Sequence, residues 1–125
     1  MNYKQIKQTF LMNLLIRILI TSALVMLIAY FMDGVNVNGF KAAIIVSVVL
    51  GLLNIFVKPV LVLLTLPVTV ITLGLFLLVI NAVIILLCDN LISGFNVDSF
   101  WTALLFSIVL SILESIVFKL TEREN

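Results

Sequence analysis

Three polar residues interrupt the long apolar stretches of this sequence and are its main candidates for chemistry. Glu114, Asn54 and Asn81 each lie inside a mainly apolar stretch. A carboxylate in an apolar helix is costly, so such a residue either serves an ion or proton or pairs with a cation. For Glu114 both readings stay open, because Arg17 and Lys58 are available as partners. Asn81 is expected to donate a hydrogen bond between helices.

Other kinds of chemistry find no support in the sequence. The chain has no His and a single Cys, Cys88, which excludes an internal disulfide and a Cys/His metal site. It has neither a recognisable nucleophile–base pair nor a Gly-rich phosphate loop. We therefore predict no enzymatic activity, no cofactor and no metal. A net charge of +1 gives no indication of nucleic acid binding.

The composition indicates a membrane environment. The 125-residue chain is 64% apolar and 10% charged, whereas soluble domains are about 45–50% apolar and about 25% charged. A chain this small could not hide so much apolar surface from water. The lipid bilayer is the predicted partner, and the predicted fold class is an all-α integral membrane protein. One membrane domain covers residues 1–125.

Four stretches are predicted to cross the membrane, since a crossing helix needs about 20 apolar residues. They are residues 11–32, 42–57, 68–88 and 101–118. Proline lacks a backbone N–H and interrupts helices, so Pro59 and Pro67 are expected to break the chain before the third span. Residues 60–66 are then interfacial or re-entrant, or belong to a tilted third span.

The positive charges predict the orientation of these four spans. Cytoplasmic segments of membrane proteins carry an excess of Lys and Arg. With both termini inside, Lys41 is the one positive residue outside. The other six lie inside: Lys4, Lys7, Arg17, Lys58, Lys119 and Arg123. Both termini are therefore predicted to be cytoplasmic.

The chain repeats itself at a spacing of 60 residues. Residues 34–59 and 94–119 are identical at ten of 26 positions, beginning with the loops GVNVNGF and GFNVDSF. Each unit is predicted to be a helical hairpin in the same orientation. The four transmembrane helices then form two parallel-repeat hairpins, related by an axis along the membrane normal.

The matching loops are expected to turn the chain tightly, with recognition of an outside partner as the alternative. Gly34 and Gly94 are predicted to take positive φ after a helix end. Asn38, and Asp98 or Ser99, are predicted to cap the next helix.

Small residues recur at every fourth position of the second and fourth spans. Such faces let helices approach closely in lipid. We predict that these two helices pack together near the axis of the repeat, or that the same faces support a homo-oligomer. The residues are Ala43, Ser47, Gly51, Ala103, Ser107 and Ser111.

The run from Asn54 to Ala82, with its pattern KP…TLP…LGLF…INA, resembles the bacterial four-span phage holin superfamily IV proteins of mycobacterial type. The Gly-x-Asn-Val-x-x-Phe loops resemble the same group, and the similarity covers about residues 14–118. Ser99 departs from the pattern by replacing the loop glycine found at Gly39. The resemblance implies a multi-pass protein of the bacterial cytoplasmic membrane and supplies no catalytic residue.

Three functions follow as hypotheses. The first is a holin-like protein that affects permeability or forms a pore by oligomerisation. The second is a non-enzymatic envelope scaffold or regulator of a membrane partner, favoured because few polar residues could line a pore. The third is a small transporter that uses Glu114.

Overall fold

The computed structural model describes residues 2–123, with the backbone alone for residues 121–123. Six helices and two short strands follow one another along the chain. They are α1 (Tyr3–Phe31), β1 (Val35–Val37), α2 (Gly39–Phe56), α3 (Lys58–Leu64), α4 (Leu66–Ile71), α5 (Phe76–Leu91), β2 (Phe95–Val97) and α6 (Phe100–Arg123).

Three helices in the described part of the chain are long and apolar enough to cross a membrane: α1, α2 and α6. The fourth apolar helix, α5, has 16 residues, which corresponds to about 24 Å at 1.5 Å per residue. That length falls short of a hydrocarbon core of about 30 Å. The chain before α5 must therefore contribute to any fourth crossing.

The four longer helices form a ring. Helix α1 packs along α2, and α5 packs along α6, while contacts of α1 with α6 and of α2 with α5 close the ring. Helices α2 and α6 lie diagonally across it, so the prediction that these two pack together was wrong. The physical reason is that their small residues leave space between them. Ser47 reaches sideways to α1, where its Oγ donates to the Ile18 carbonyl oxygen at 3.1 Å.

The segment between α2 and α5 is more broken than the sequence predicted. Pro59 and Pro67 each lie in the first turn of a new helix, α3 and α4, where a missing N–H costs nothing. Residues 68–88, predicted as the third span, do not form one continuous helix, because the chain turns between α4 and α5. Leu73 and Gly74 take positive φ angles of 56° and 89° there, a conformation that Gly adopts readily and Leu rarely.

The two loops that match in sequence pair with each other, which the sequence did not predict. Strands β1 and β2 are antiparallel, with Val35 opposite Val97, Asn36 opposite Asn96, and Val37 opposite Phe95. Two flanking hydrogen bonds of 2.8 Å extend the ladder, from Asn38 N to Gly94 O and from Asp98 N to Gly34 O. We call this pair the ribbon. We call the end of the bundle where the ribbon lies the ribbon end. The opposite end, where α1 begins and α6 ends, is the termini end.

The loop glycines and caps follow the expectations in part. Gly34 has the predicted positive φ, 93°, whereas Gly94 does not. Gly94 is needed for close approach instead, because a Cβ there would lie 3.0 Å from the Cβ of Ala42. Ser99 caps α6 by accepting a hydrogen bond from Thr102 N. The Asn38 side chain makes no cap hydrogen bond to α2.

The ribbon end of the bundle is densely packed with apolar side chains. Phe95 from the ribbon and Phe106 from α6 are both fully buried, with ring centroids 5.9 Å apart. Fully or almost fully buried residues of the surrounding helices complete this layer, which we call the plug: Val25, Ala43, Val46, Ile84, Cys88 and Ala103. A water path through the ring is therefore closed at the ribbon end.

Candidate functional site: a polar cavity between the helices

A cavity of about 410 Å³ lies inside the ring, on the termini side of the plug. All four long helices line it, together with Lys58, the first residue of α3. Half of its eighteen lining residues are polar or charged: Arg17, Thr21, Ser47, Asn54, Lys58, Asn81, Ser107, Ser111 and Glu114. The polar residues that the sequence placed on three separate spans thus face one space.

Glu114 is held on the wall formed by α1 and α6. The Thr21 hydroxyl donates a hydrogen bond of 2.9 Å to Glu114 Oε1, and the positive charge of Arg17 acts on the same carboxylate. The guanidinium of Arg17 also stands over the Phe118 ring, 4.7 Å from its centroid. Through this contact Arg17 bridges α1 and α6.

The opposite wall carries polar groups without protein partners. Within residues 2–123 the Asn54 and Asn81 side chains make no protein hydrogen bond, and Lys58 makes no ion pair. Asn81 therefore lines the cavity and does not form the interhelical hydrogen bond expected of it. In a bilayer, polar groups at this depth need water, a ligand or another protein group.

The small residues of α2 and α6 fall into two groups. Ala43 and Ala103 are fully buried in the plug, where their size lets the helices meet. Gly51 and Ser111 border the cavity, and there the missing side-chain volume creates the space. Ser47 and Ser107 lie between these levels, each donating to a backbone carbonyl oxygen, Ile18 and Leu104 respectively.

The lining follows the 60-residue spacing of the sequence. Twelve of the eighteen lining residues form six pairs at that spacing: Thr21 and Asn81, Ser47 and Ser107, Leu50 and Leu110, Gly51 and Ser111, Asn54 and Glu114, and Lys58 and Phe118. The central pair of the ribbon, Asn36 and Asn96, has the same spacing. The charged groups break this correspondence, since Asn54 stands where the other half has Glu114.

The cavity lining combines one carboxylate with two cationic side chains. The carboxylate, Glu114, accepts a hydrogen bond from the Thr21 hydroxyl. No three His, Cys, Asp or Glu side chains within the described residues come close enough to hold a metal ion. What the walls offer a ligand is charge, hydroxyl groups and amides.

Sequence reasoning missed one residue of the site, Thr21, and one contact, that of Arg17 with Phe118. Thr21 was not singled out, although the 60-residue spacing maps it onto Asn81 and would have identified it. Arg17 was considered as a partner for Glu114, but its stacking on Phe118 depends on α1 and α6 being neighbours. That adjacency follows from the order of helices around the ring, which local patterns do not specify.

Apolar helices around a polar interior define the class as a small multi-pass membrane protein. The family described as mycobacterial 4 TMS phage holin, superfamily IV, matches residues 12–116. The chain belongs to this family. It is 38% identical to the uncharacterized membrane protein YvlD of Bacillus subtilis over 83% of this chain and 88% of that protein. It is 35% identical to an uncharacterized protein of Streptomyces coelicolor over 81% and 89% of the two chains. No solved structure was found to match it.

Proposed function

We propose that the two halves of the chain are repeats related by a pseudo-two-fold axis that runs along the bundle. Helices α1 and α2 form one hairpin, and α5 and α6 form the other. Support comes from the ribbon, whose central residues Asn36 and Asn96 are equivalent in the two halves. Further support comes from the six pairs of cavity residues at the same spacing. The axis would pass through both features.

In this proposal the protein lies in the bacterial cytoplasmic membrane with the termini end facing the cytoplasm. The excess of Lys and Arg expected on that side supports this orientation. Lys58 and Arg17 line the cavity on the termini side of the plug, while Lys41 lies in the first turn of α2, near the ribbon. The cavity would therefore open toward the cytoplasm, and the ribbon would face the outside.

The function that the geometry supports best is non-enzymatic binding of a small charged solute from the cytoplasmic side. The observation that carries this proposal is a polar cavity closed at one end by the plug. A site at the interface between two repeats is the arrangement found in many transporters. Glu114, held by Thr21, supplies the negative charge of the site. A single copy of the chain would then not form an open ion channel.

Leakage after induced expression tests this function. We expect the potassium content and the membrane potential of the bacteria to stay unchanged, because the plug blocks a water path through each copy. The chain would be expressed to the same membrane level as a known pore-forming holin, which serves as the positive control. Potassium loss comparable to that control would contradict the proposal.

An oligomeric pore is the second candidate, and the description of the family favours it. Such a pore would have to form between copies, with their outer helix faces as its walls. Those faces carry large exposed apolar residues, among them Leu19, Leu105 and Ile112, which suit lipid better than water. The leakage measurement separates the two candidates, since an oligomeric pore would discharge the membrane.

A further inference from the structure

The cavity has two chemically different walls, and the wall opposite Glu114 is built from elements that contact each other. Helices α2, α3 and α5 pack together and contribute Asn54, Lys58 and Asn81 respectively. Glu114 and its partners Thr21 and Arg17 come from α6 and α1 instead. We call Asn54, Lys58 and Asn81 the donor wall.

The donor wall offers hydrogen-bond donors and a positive charge. A lysine ammonium carries three N–H groups, and each asparagine amide adds two. Within the described residues these three side chains have no protein partner. The carboxylate of Glu114 is already engaged by the Thr21 hydroxyl and by the charge of Arg17. The charged groups that line the cavity sum to +1, from Arg17, Lys58 and Glu114.

We propose that the donor wall binds a phosphate-type oxyanion. A tetrahedral phosphate group can accept hydrogen bonds from several directions at once, which matches donors carried by three different elements. Basic pockets between transmembrane helices on the cytoplasmic side are suited to phosphate head groups. The anion is either the head group of an anionic phospholipid or a soluble phosphate. This inference rests on the proposed function of the cavity as a solute site.

Binding to the full-length purified chain tests the inference. The midpoint of thermal unfolding would be measured in neutral detergent with increasing inorganic phosphate, and with chloride at matched ionic strength. The same measurement would be made in nanodiscs of phosphatidylglycerol and of phosphatidylcholine. A ligand that binds the folded state raises this midpoint. A rise with phosphate identifies a soluble ligand, and a rise with phosphatidylglycerol alone identifies a lipid head group.

Lys58→Gln is the decisive variant, and Lys119→Gln is its matched control. Both remove one positive charge, but Lys119 is exposed and lies outside the cavity lining. We expect Lys58→Gln to weaken anion binding by about tenfold or more, since it removes a charge-assisted hydrogen bond. Lys119→Gln should bind as the natural chain does. Asn81→Leu provides a second, uncharged test of the same wall.

Three results would overturn the inference: no rise of the midpoint with either anion, equal losses in Lys58→Gln and Lys119→Gln, or full binding by both donor-wall variants. The unfolding midpoint without anion shows whether each variant is folded. Labelling of a Ser111→Cys variant separates this failure from that of the proposed function. If the thiol reacts with a water-soluble reagent while no anion binds, the cavity is hydrated and the donor-wall inference alone fails.

Discussion

At the scale of single residues, the arrangement around Glu114 explains how the chain tolerates a carboxylate inside an apolar helix. An isolated charge in lipid is costly, and partners reduce that cost. Thr21 donates a hydrogen bond to it, and Arg17 brings a compensating charge from the same helix as Thr21. Because Thr21 lies on α1 and Glu114 on α6, the hydrogen bond between their side chains also joins these two helices.

Thr21→Val should destabilise the protein, since it keeps the shape of the side chain and removes the hydroxyl. We expect a loss of about 1–2 kcal/mol in the free energy of unfolding, between the averages for membrane hydrogen bonds and for bonds to charged groups. Unfolding in detergent would measure it. Thr9→Val is the matched control, because Thr9 is exposed on the same helix. Equal effects of the two substitutions would contradict this role of Thr21.

The sequence could identify Glu114, Asn54 and Asn81 as unusual, because polar residues stand out against apolar neighbours. It could not tell that they share a cavity with Lys58. These four residues belong to four different helices. Whether they line one cavity depends on the order of the helices around the ring. The small residues on α2 predicted close contact with α6, whereas Gly51 and Ser111 border a space. Small size permits either outcome.

At the scale of elements, the ribbon joins the segment between α1 and α2 to the segment between α5 and α6. Each strand has three residues, too few to be stable alone. Burial of Val35, Phe95 and Val97 against the helices stabilises the pair. The sequence predicted only turns here, because a three-residue alternation of apolar residues and Asn is too short to indicate a strand. The turn at Leu73 and Gly74 was not predicted either, because a single glycine does not define a turn.

Gly34→Ala should destabilise the ribbon end more than Gly39→Ala does. Both glycines have positive φ, so each substitution carries a backbone cost of about 1–2 kcal/mol. At Gly34 a Cβ would also lie 3.1 Å from Thr102 Cγ2 and 3.3 Å from Asp98 Oδ2, whereas at Gly39 it meets nothing within 4 Å. Thermal unfolding of both variants gives the comparison. A larger loss of stability in Gly39→Ala than in Gly34→Ala would contradict the close packing described at Gly34.

Over the whole molecule, the proposed repeat pairs positions in the cavity whose side chains differ in charge. The plug and the ribbon close one end of the bundle. The lining of the cavity pairs residues 60 apart, but only one half carries the carboxylate, at Glu114, and only the other carries Lys58. The site therefore carries one carboxylate and two cationic groups, Arg17 and Lys58.

The proposed cavity holds water that enters from the termini end alone. Labelling of a Ser111→Cys variant tests this directly. Ser111→Cys would be treated with a membrane-impermeant thiol reagent in right-side-out and inside-out vesicles. Three comparisons calibrate the result. The natural chain has its one Cys, Cys88, fully buried. Ile112→Cys tests an exposed neighbour outside the cavity lining, and Asn96→Cys reports on the exposed face of the ribbon.

We expect Ser111→Cys to react in inside-out vesicles alone and Asn96→Cys in right-side-out vesicles alone. The natural chain and Ile112→Cys should stay unlabelled, the first because Cys88 is buried and the second because its thiol faces lipid. Reaction of Ser111→Cys in right-side-out vesicles, or in neither preparation, would contradict a water-filled cavity that is closed by the plug.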